Sequence, residues 1–278
     1  MATGIDHIVI AVRDLAQATE DYQRAGFTVT PGGEHKGGVT HNALVTFADG
    51  AYFELIAFKN PDEPQEHRWW ARLATSEGLI DYALRTNDLA QEVVELRERG
   101  LDAEDPVDGG RFRPDGIRLD WQTLHFRGAS SNALPFYCFD LTERHLRVPG
   151  GEASVHPNGI TGVAGVTVVV NDIAATGPQF AALTGHDGDD VTAETEHAQE
   201  ARRYAVGDVT ITLVQPTVGA SDLRTQLERR GDSLFSVALN APEGGDPSIP
   251  LGLSHGARLL LPGGSSEKIL ASDIVARA

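Results

Sequence analysis

Residues 4–17, GIDHIVIAVRDLAQ, decide the fold because they carry the signature of a strand that runs into a helix. The first nine of these residues are rich in β-branched side chains, which favour an extended, half-buried strand. Asp14 can accept backbone N–H bonds as the N-cap of the helix, and Gln17 is placed to complete a capping box. Gly26 supplies the left-handed residue that commonly ends such a helix.

The same pattern occurs twice more along the chain. Residues 78–91, GLIDYALRTNDLAQ, repeat it so closely that the tetrapeptide DLAQ recurs, and Gly100 ends the second predicted helix. Residues 163–174, VAGVTVVVNDIA, repeat it again, with Gly185 as the stop. Further strand-like runs follow each helix, at 27–30, 41–47 and 52–58, at 117–126 and 134–141, and at 200–206 and 208–214. Such a repeat predicts copies of one βαβββ unit.

The repeats predict an α+β protein in which three full βαβββ modules and a shortened fourth form cupped, mixed sheets. The shortened module is predicted from the helical residues 222–230 and the strand-like runs 233–240 and 257–261. A Pro/Gly-rich stretch, residues 148–159, separates modules two and three. We therefore expect a first domain, residues 1–148, that pairs modules one and two, and a second, residues 159–278, that holds the rest.

The bulk composition disfavours several classes of protein. The chain has 278 residues, 41% of them hydrophobic and 23% charged, and no run approaches the ~20 apolar residues that span a bilayer. The first strand follows without a basic lead-in, so we expect a cytoplasmic protein. The formal charge of −17 repels phosphate backbones and anionic lipids, so neither nucleic acid nor a membrane is an expected partner. The single cysteine, Cys138, excludes an internal disulfide and a Cys-based zinc cage.

A βαβββ unit that opens with Asp6-His7 and ends with YFELI at 52–56 resembles the vicinal oxygen chelate superfamily, which includes glyoxalases, extradiol dioxygenases and bleomycin-resistance proteins. The likeness is strongest to its glyoxalase-like branch. Further sequence motifs that match this branch are GGEH at 32–35, GVTHN at 38–42, RPDG at 113–116, Trp121, LPF at 134–136 and HPNG at 156–159. The resemblance implies a cup of two paired modules, with a divalent metal held on the first and last strands of each.

His7 and Glu54 are the leading candidates for that site. Alternation along the first strand places Ile5, His7 and Val9 on one face, so that His7 points into the cup. On the last strand of the module Tyr52 and Glu54 share a face, and a carboxylate in so apolar a strand needs a partner. A His nitrogen and a carboxylate oxygen on adjacent strands suit Zn, Fe, Mn or Ni. The alternatives are a hydrogen-bonded pair or a ligand pocket without metal.

The later modules supply only part of a ligand set. Counted from the helix caps, Asp81 and Gly165 fall at the position of His7, and Asp81 could be a hard oxygen ligand. Gly165 and the last strand of module three, residues 210–214, offer no ligand, so we expect any metal site to be built by modules one and two. The last strand of module two has no acid that matches Glu54, and His125 is the best substitute as a further metal ligand. The alternative for His125 is a satisfied or exposed histidine.

Four residues are predicted to contact a small-molecule ligand. His35 and Asn42 lie near loops or a strand start, where a rigid scaffold presents polar groups, although Asn42 could simply satisfy a turn. Tyr52 and Trp121 would form an aromatic wall with polar handles, although both could be plain core residues.

Three functions are consistent with these features. The first is an enzyme of lyase, isomerase or dioxygenase type, in which a metal at His7 and Glu54 polarises vicinal oxygens of a small molecule, or in which Glu54 is the catalytic base. The second is a metal-free protein that binds or sequesters a small molecule such as a drug. The third is a scaffold that acts as a homodimer through exposed sheet edges.

Overall fold

The computed structural model describes residues 1–128, 132–242 and 249–261, and it confirms the α+β fold of repeated modules. Module one consists of β1 (Gly4–Ala11), α1 (Leu15–Arg24), β2 (Thr30–His35), β3 (Thr40–Thr46) and β4 (Tyr52–Phe58). The helix α2 (Trp70–Thr75) leads to module two, which consists of β5 (Gly78–Arg85), α3 (Leu89–Glu98), β6 (Val107–Phe112), β7 (Arg118–Leu124) and β8 (Phe136–Asp140), followed by α4 (Arg144–Arg147). Module three consists of β9 (Gly162–Val169), α5 (Ile173–Thr184), β10 (Asp189–Asp190), β11 (Ala198–Val206) and β12 (Val209–Pro216). The helix α6 (Ser221–Arg230) leads to β13 (Ser233–Asn240) and β14 (Leu259–Leu260).

The helix of each full module begins at the predicted aspartate. The Asp14 carboxylate accepts the backbone N–H groups of Ala16 and Gln17 at 2.9 and 3.0 Å, and Asp88 and Asp172 cap α3 and α5 in the same way. The predicted capping box is wrong, because the Gln17 amide instead donates to the carboxylate of Asp21, 3.0 Å away.

Two strand predictions differ from the structure. The run 27–30 was expected to be extended, but β2 begins only at Thr30 because Phe27 turns inward after the helix. Its ring packs 5.7 Å from that of Tyr22 and 5.9 Å from that of Phe53. Strand β6 was not predicted, since the two glycines and two charged residues in VDGGRF hide the hydrophobic alternation of a strand.

Modules one and two close into an eight-stranded barrel in the order β1-β4-β3-β2-β6-β7-β8-β5. Two antiparallel seams join them, β1 with β5 and β2 with β6. The second seam is short and pairs His35 with Arg111. It depends on Gly33, whose φ is +138° and at which a Cβ would lie 2.0 Å from the carbonyl oxygen of Phe112. The cup is therefore closed on both sides.

Modules three and four form a six-stranded sheet in the order β10-β11-β12-β9-β13-β14. Strand β13 pairs antiparallel with β9, which matches the pairing of β5 with β1 in the barrel. Strand β14 pairs parallel with β13, which matches the pairing of β8 with β5. The shortened fourth module thus keeps a first and a last strand. Helix α6 packs Leu223 and Leu227 against Val169 and Phe235 on the sheet face away from the main core. Residues 243–248 and 262–278 of the predicted second domain lie outside the described residues.

One hydrophobic core runs between the barrel and the six-stranded sheet. It contains Tyr22 and Ile8 from module one together with Val166 and Val237 from the later modules. A polar contact, here called the histidine clamp (Asp21, Glu77 and His255), also ties the two parts together. The imidazole of His255 lies 3.1 Å from each carboxylate. Within the described ranges, no helix is long and apolar enough to cross a membrane.

Candidate functional site

A bulge in β1 sets the orientation of the first candidate residue. Pairing with β5 shifts register between Ile5 and His7, so Asp6 is the extra residue and alternation is interrupted. The predicted face is therefore wrong for Ile5, which packs in the main core under the helices. His7 faces the barrel interior, where Val9 also packs. The bulge lets two consecutive polar side chains, Asp6 and His7, meet at one site, with their nearest atoms 2.6 Å apart.

The barrel encloses a cavity of about 390 Å³. Six predicted site residues line it: His7, His35, Asn42, Tyr52, Glu54 and Trp121. Asp81 and His125, which were predicted as metal ligands, do not belong to the described cavity lining. The structure therefore brings together the candidates from module one and Trp121 from module two.

Glu54 is the polar centre of the cavity. One oxygen accepts the amide N–H of Asn42 at 2.6 Å and lies 3.2 Å from Nε2 of His35, and the other lies 3.7 Å from Nε2 of His7. Burial alone would raise the pKa of Glu54, but the hydrogen bond and charge of His35, the charge of His7 and the Asn42 bond lower it to about 2. Glu54 is therefore ionised at neutral pH.

Both histidines are fixed through their other ring nitrogen. Nδ1 of His7 lies 2.6 Å from the Asp6 carboxylate, and Nδ1 of His35 lies 2.9 Å from the Thr40 hydroxyl. The Asp6 carboxylate can only accept a hydrogen bond, so it holds the proton of His7 on Nδ1, whereas the Thr40 hydroxyl orients the ring of His35 without selecting its tautomer. Each imidazole thus directs Nε2 at the Glu54 carboxylate.

Asp6 is held in place by Arg147 and Arg144, which also bind Asp140, and no sequence motif indicated this network. Arg147 donates to both Asp6 oxygens at 3.0 Å, to the Tyr52 hydroxyl at 2.7 Å and to Asp140, while Arg144 donates to Asp6 and Asp140. Burial raises the pKa of Asp6, but Arg147, the His7 hydrogen bond and Arg144 outweigh it and hold that pKa well below its usual range. No local signal could have paired residues 138 and 141 positions apart in sequence.

Module two lacks an equivalent of the histidine–carboxylate pair that His7 and Glu54 form in module one. In module one, Val9 of β1 pairs with Glu54 of β4. In module two, Ala83 of β5 pairs with Phe136 of β8, so Phe136 occupies the position equivalent to Glu54. Its ring lies edge-on to His7, with centroids 5.3 Å apart. An apolar ring at this position cannot supply a metal ligand.

The two remaining predicted ligands have other partners. Asp81 accepts hydrogen bonds from Arg68 at 2.6 Å, from the Trp69 indole at 2.9 Å and from the backbone of Tyr82 at 2.9 Å. His125 stacks on Phe136 with centroids 5.2 Å apart, and burial, with the nearby Arg68 charge, lowers its pKa to about 4. Neither side chain reaches the Glu54 side of the cavity.

Two sets of side chains are candidates to hold a divalent cation. In the first, His7 and His35 flank Glu54, although their Nε2 atoms approach different oxygens of that carboxylate, at 3.7 and 3.2 Å, so the three donors would have to draw together around one ion. In the second, Asp6, His7 and Cys138 place ligand atoms that all lie within 4.8 Å of one another, the group among the described residues that does so. That second set fits poorly, because Asp6 is already paired with two arginines and burial raises the pKa of the Cys138 thiol.

Two βαβββ modules closed around a polar cavity define a protein of the vicinal oxygen chelate class. Residues 5–184 match the model of the glyoxalase-like domain family, and the chain belongs to that family. No curated protein sequence matches the chain.

Solved structures with the same fold share little sequence with this chain. A hypothetical protein from Staphylococcus aureus has a TM-score of 0.70 at 16% identity, over 92% of this chain and 98% of that one. A 4-hydroxymandelate synthase mutant from Streptomyces coelicolor has a TM-score of 0.55 at 12% identity, over 86% of this chain and 71% of that one. A fusion of a xylose isomerase-like TIM barrel with 4-hydroxyphenylpyruvate dioxygenase scores 0.56 at 12% identity, over 88% of this chain and 37% of the fusion. These identities establish a shared fold and nothing more.

Proposed function

We propose that the protein is an enzyme of the vicinal oxygen chelate type that acts on a small oxygenated molecule with the help of a divalent metal. The observation that carries the proposal is the arrangement of two imidazoles around one buried carboxylate. Nε2 of His7 and Nε2 of His35 both face Glu54, at 3.7 and 3.2 Å. Two histidines and one carboxylate are a donor set that suits Zn, Fe or Mn and leaves positions open for substrate.

The low pKa of Glu54 favours a ligand role over the role of catalytic base. A general base works best when its pKa lies near the operating pH, and a carboxyl group with a pKa of about 2 is a weak base at neutral pH. An ionised carboxylate is also the form that binds a cation. A bound metal would polarise adjacent oxygens of the substrate and stabilise the negative charge that develops on them.

The remaining cavity residues would position the substrate. Burial, together with the charges of Asp6 and Glu54, raises the pKa of Tyr52 well above its usual value despite Arg147, so its hydroxyl stays protonated. Because that oxygen already accepts from Arg147 at 2.7 Å, its proton is free to be donated to an oxygen of the substrate. Trp121 and Phe136 supply apolar walls that exclude water.

A metal-free binding protein is the second candidate. Phe136 stands where module one has Glu54, and Asp81 is hydrogen-bonded to Arg68 and Trp69, so neither adds a metal ligand to His7, His35 and Glu54. The cavity would then bind a small molecule through the Glu54 side chain and the aromatic wall. A homodimer through exposed sheet edges remains a weaker proposal, because the end strands β10 and β14 of the open sheet are two residues long each.

Metal analysis of the purified full chain separates the first two candidates. We expect on the order of one divalent ion per chain, and His7→Ala or Glu54→Gln should weaken its binding by at least about 100-fold. The matched controls His125→Ala and Glu34→Gln change a histidine and a glutamate that do not line the cavity, and they should retain the metal. Failure to bind Zn, Fe, Mn or Ni even after addition of each metal, with His7→Ala indistinguishable from wild type, would leave the metal-free function.

A further inference from the structure

We propose that the cavity binds ligands that carry a carboxylate group and that Arg111 is the residue that recognises it. The inference deepens the proposed function, because it concerns the ligand of the same cavity, but it does not require a metal. Arg111 lies on β6 beside the β2 seam, lines the cavity and is only 4% exposed.

Arg111 is a buried cation that pairs with no carboxylate of the residues described. Its guanidinium donates to the carbonyl oxygens of Gly32 and Arg147, and the acids of the described ranges form no ion pair with it. Its neighbour Arg147, in contrast, is bracketed by Asp6 and Asp140. Buried charges in proteins are paired as a rule, since leaving water without a counter-charge is costly. Burial lowers the pKa of Arg111, and the electrostatic effects of Tyr52 and Glu54 oppose this.

The acids that share the cavity are unsuited to neutralise Arg111. Glu54 is committed to Asn42 and His35. Asp108 and Glu66 are exposed at the rim, and Asp108 accepts from the Gln122 amide at 3.0 Å. An anion inside the cavity would therefore be the direct counter-charge of Arg111.

The geometry of the donor selects the chemical class of that anion. Carbonyl oxygens satisfy two of the five guanidinium N–H groups, and a planar fork of N–H donors matches the two oxygens of a carboxylate. The cavity volume of about 390 Å³ and the nearby rings of Trp121 and Phe136 suit a compact acid with an apolar body. We infer a small monocarboxylate, held at Arg111 with its apolar part against the aromatic wall.

The test compares benzoate with benzamide, a neutral probe of nearly the same shape. Each is titrated into the full chain, with and without a chelator, and binding is followed by tryptophan fluorescence, since Trp121 and Trp69 line the cavity. We expect benzoate to bind about 10- to 100-fold more tightly than benzamide, as for a hydrogen bond to a charged group. Arg111→Met should abolish this preference, and Arg111→Lys should keep part of it.

Arg113→Met is the matched control, because Arg113 is on the same segment but pairs with Asp115 and does not line the cavity. It should retain the full preference. Thermal melting provides a second measurement: benzoate should raise the melting temperature of wild type and of Arg113→Met but not that of Arg111→Met. Equal binding of the two probes by wild type, or a preference that survives in Arg111→Met, would overturn the proposal.

The chelator separates this inference from the proposed metal function. A benzoate preference that persists without metal and depends on Arg111 supports the inference even if the protein proves to bind no metal. A preference that disappears on chelation and is insensitive to Arg111→Met would overturn the inference and favour carboxylate binding by the metal.

Discussion

The buried Asp6–Arg147 pair should be a main determinant of stability, and Arg147→Met is the perturbation that tests it. Asp6 is fully buried, and Arg147 is 2% exposed. The substitution removes two 3.0 Å hydrogen bonds to Asp6 and one 2.7 Å bond to Tyr52 while it preserves most of the side-chain volume. It also leaves two carboxylates, Asp6 and Asp140, with Arg144 as their remaining cation.

Removal of one partner of a buried ion pair costs about 3–5 kcal/mol, because the other charge stays buried and uncompensated. Since Arg144 and His7 still contact Asp6, we expect the lower end, about 3 kcal/mol. The pKa of Asp6 is lower in the folded state than in the unfolded chain, where it is about 3.9. The contribution of Asp6 to the free energy of unfolding is therefore complete above about pH 3.9 and is lost as the pH falls through the pKa of the folded state. The difference between wild type and Arg147→Met should therefore shrink below about pH 4.

The assay is equilibrium urea unfolding at neutral and acidic pH, with Lys59→Gln as the control. Lys59 pairs with Glu34 at 2.7 Å on the surface, where a salt bridge contributes at most about 1 kcal/mol. The double variant Asp6→Asn/Arg147→Met should be more stable than Arg147→Met alone, because the buried Asp6 charge, which has lost its main partner, is then removed. A loss in Arg147→Met no greater than that in Lys59→Gln, or a double variant less stable than Arg147→Met, would refute this account of the network.

Three further changes have defined outcomes. Gly33→Ala should lower the free energy of unfolding by more than about 2 kcal/mol, because the new Cβ would clash with the Phe112 carbonyl oxygen and open the β2–β6 seam. The control is Gly37→Ala, which should cost about 1 kcal/mol, because Gly37 also has a positive φ, +93°, but no atom lies within 4 Å of the new Cβ. Hydrogen bonds that the protonated His255 ring donates to the carboxylates of the histidine clamp, chiefly Glu77, raise the pKa of His255. The stability should therefore decline as the pH rises above about 6.5, and His255→Gln should lose this dependence in urea unfolding. If His7, His35 and Glu54 bind a metal, Phe136→Glu should tighten zinc binding by at least about tenfold in calorimetric titration, since it restores an acid at the position equivalent to Glu54.

The modules could be predicted from sequence because their signals are local. A β-branched run followed by a capping aspartate, such as Asp14 or Asp88, specifies a strand and a helix within about 14 residues. The same alternation brought Glu54 and Tyr52 to one face of β4, and the structure places both in the cavity with His7. Their role as ligands of a metal or substrate stays a prediction.

What the sequence could not show depends on contacts between distant segments. The bulge at Asp6 arises from pairing with β5, so regular alternation assigned Ile5 to the wrong face. Arg111 and Arg147 were missed because their role comes from burial, and burial of a charge on a strand such as VDGGRF is visible only after the barrel closes.

Closure of the barrel would also allow module one to supply the ligands of a metal by itself. Here the β2–β6 seam brings His35 inward, 3.2 Å from Glu54, so module one can offer two imidazoles and a carboxylate by itself. Module two is then free to place Phe136 and Arg111 in the same cavity, one as an apolar wall and the other as a buried cation. The modules have the same fold, but in the functions proposed above one would provide donors for a cation and the other would provide the surface that selects the ligand.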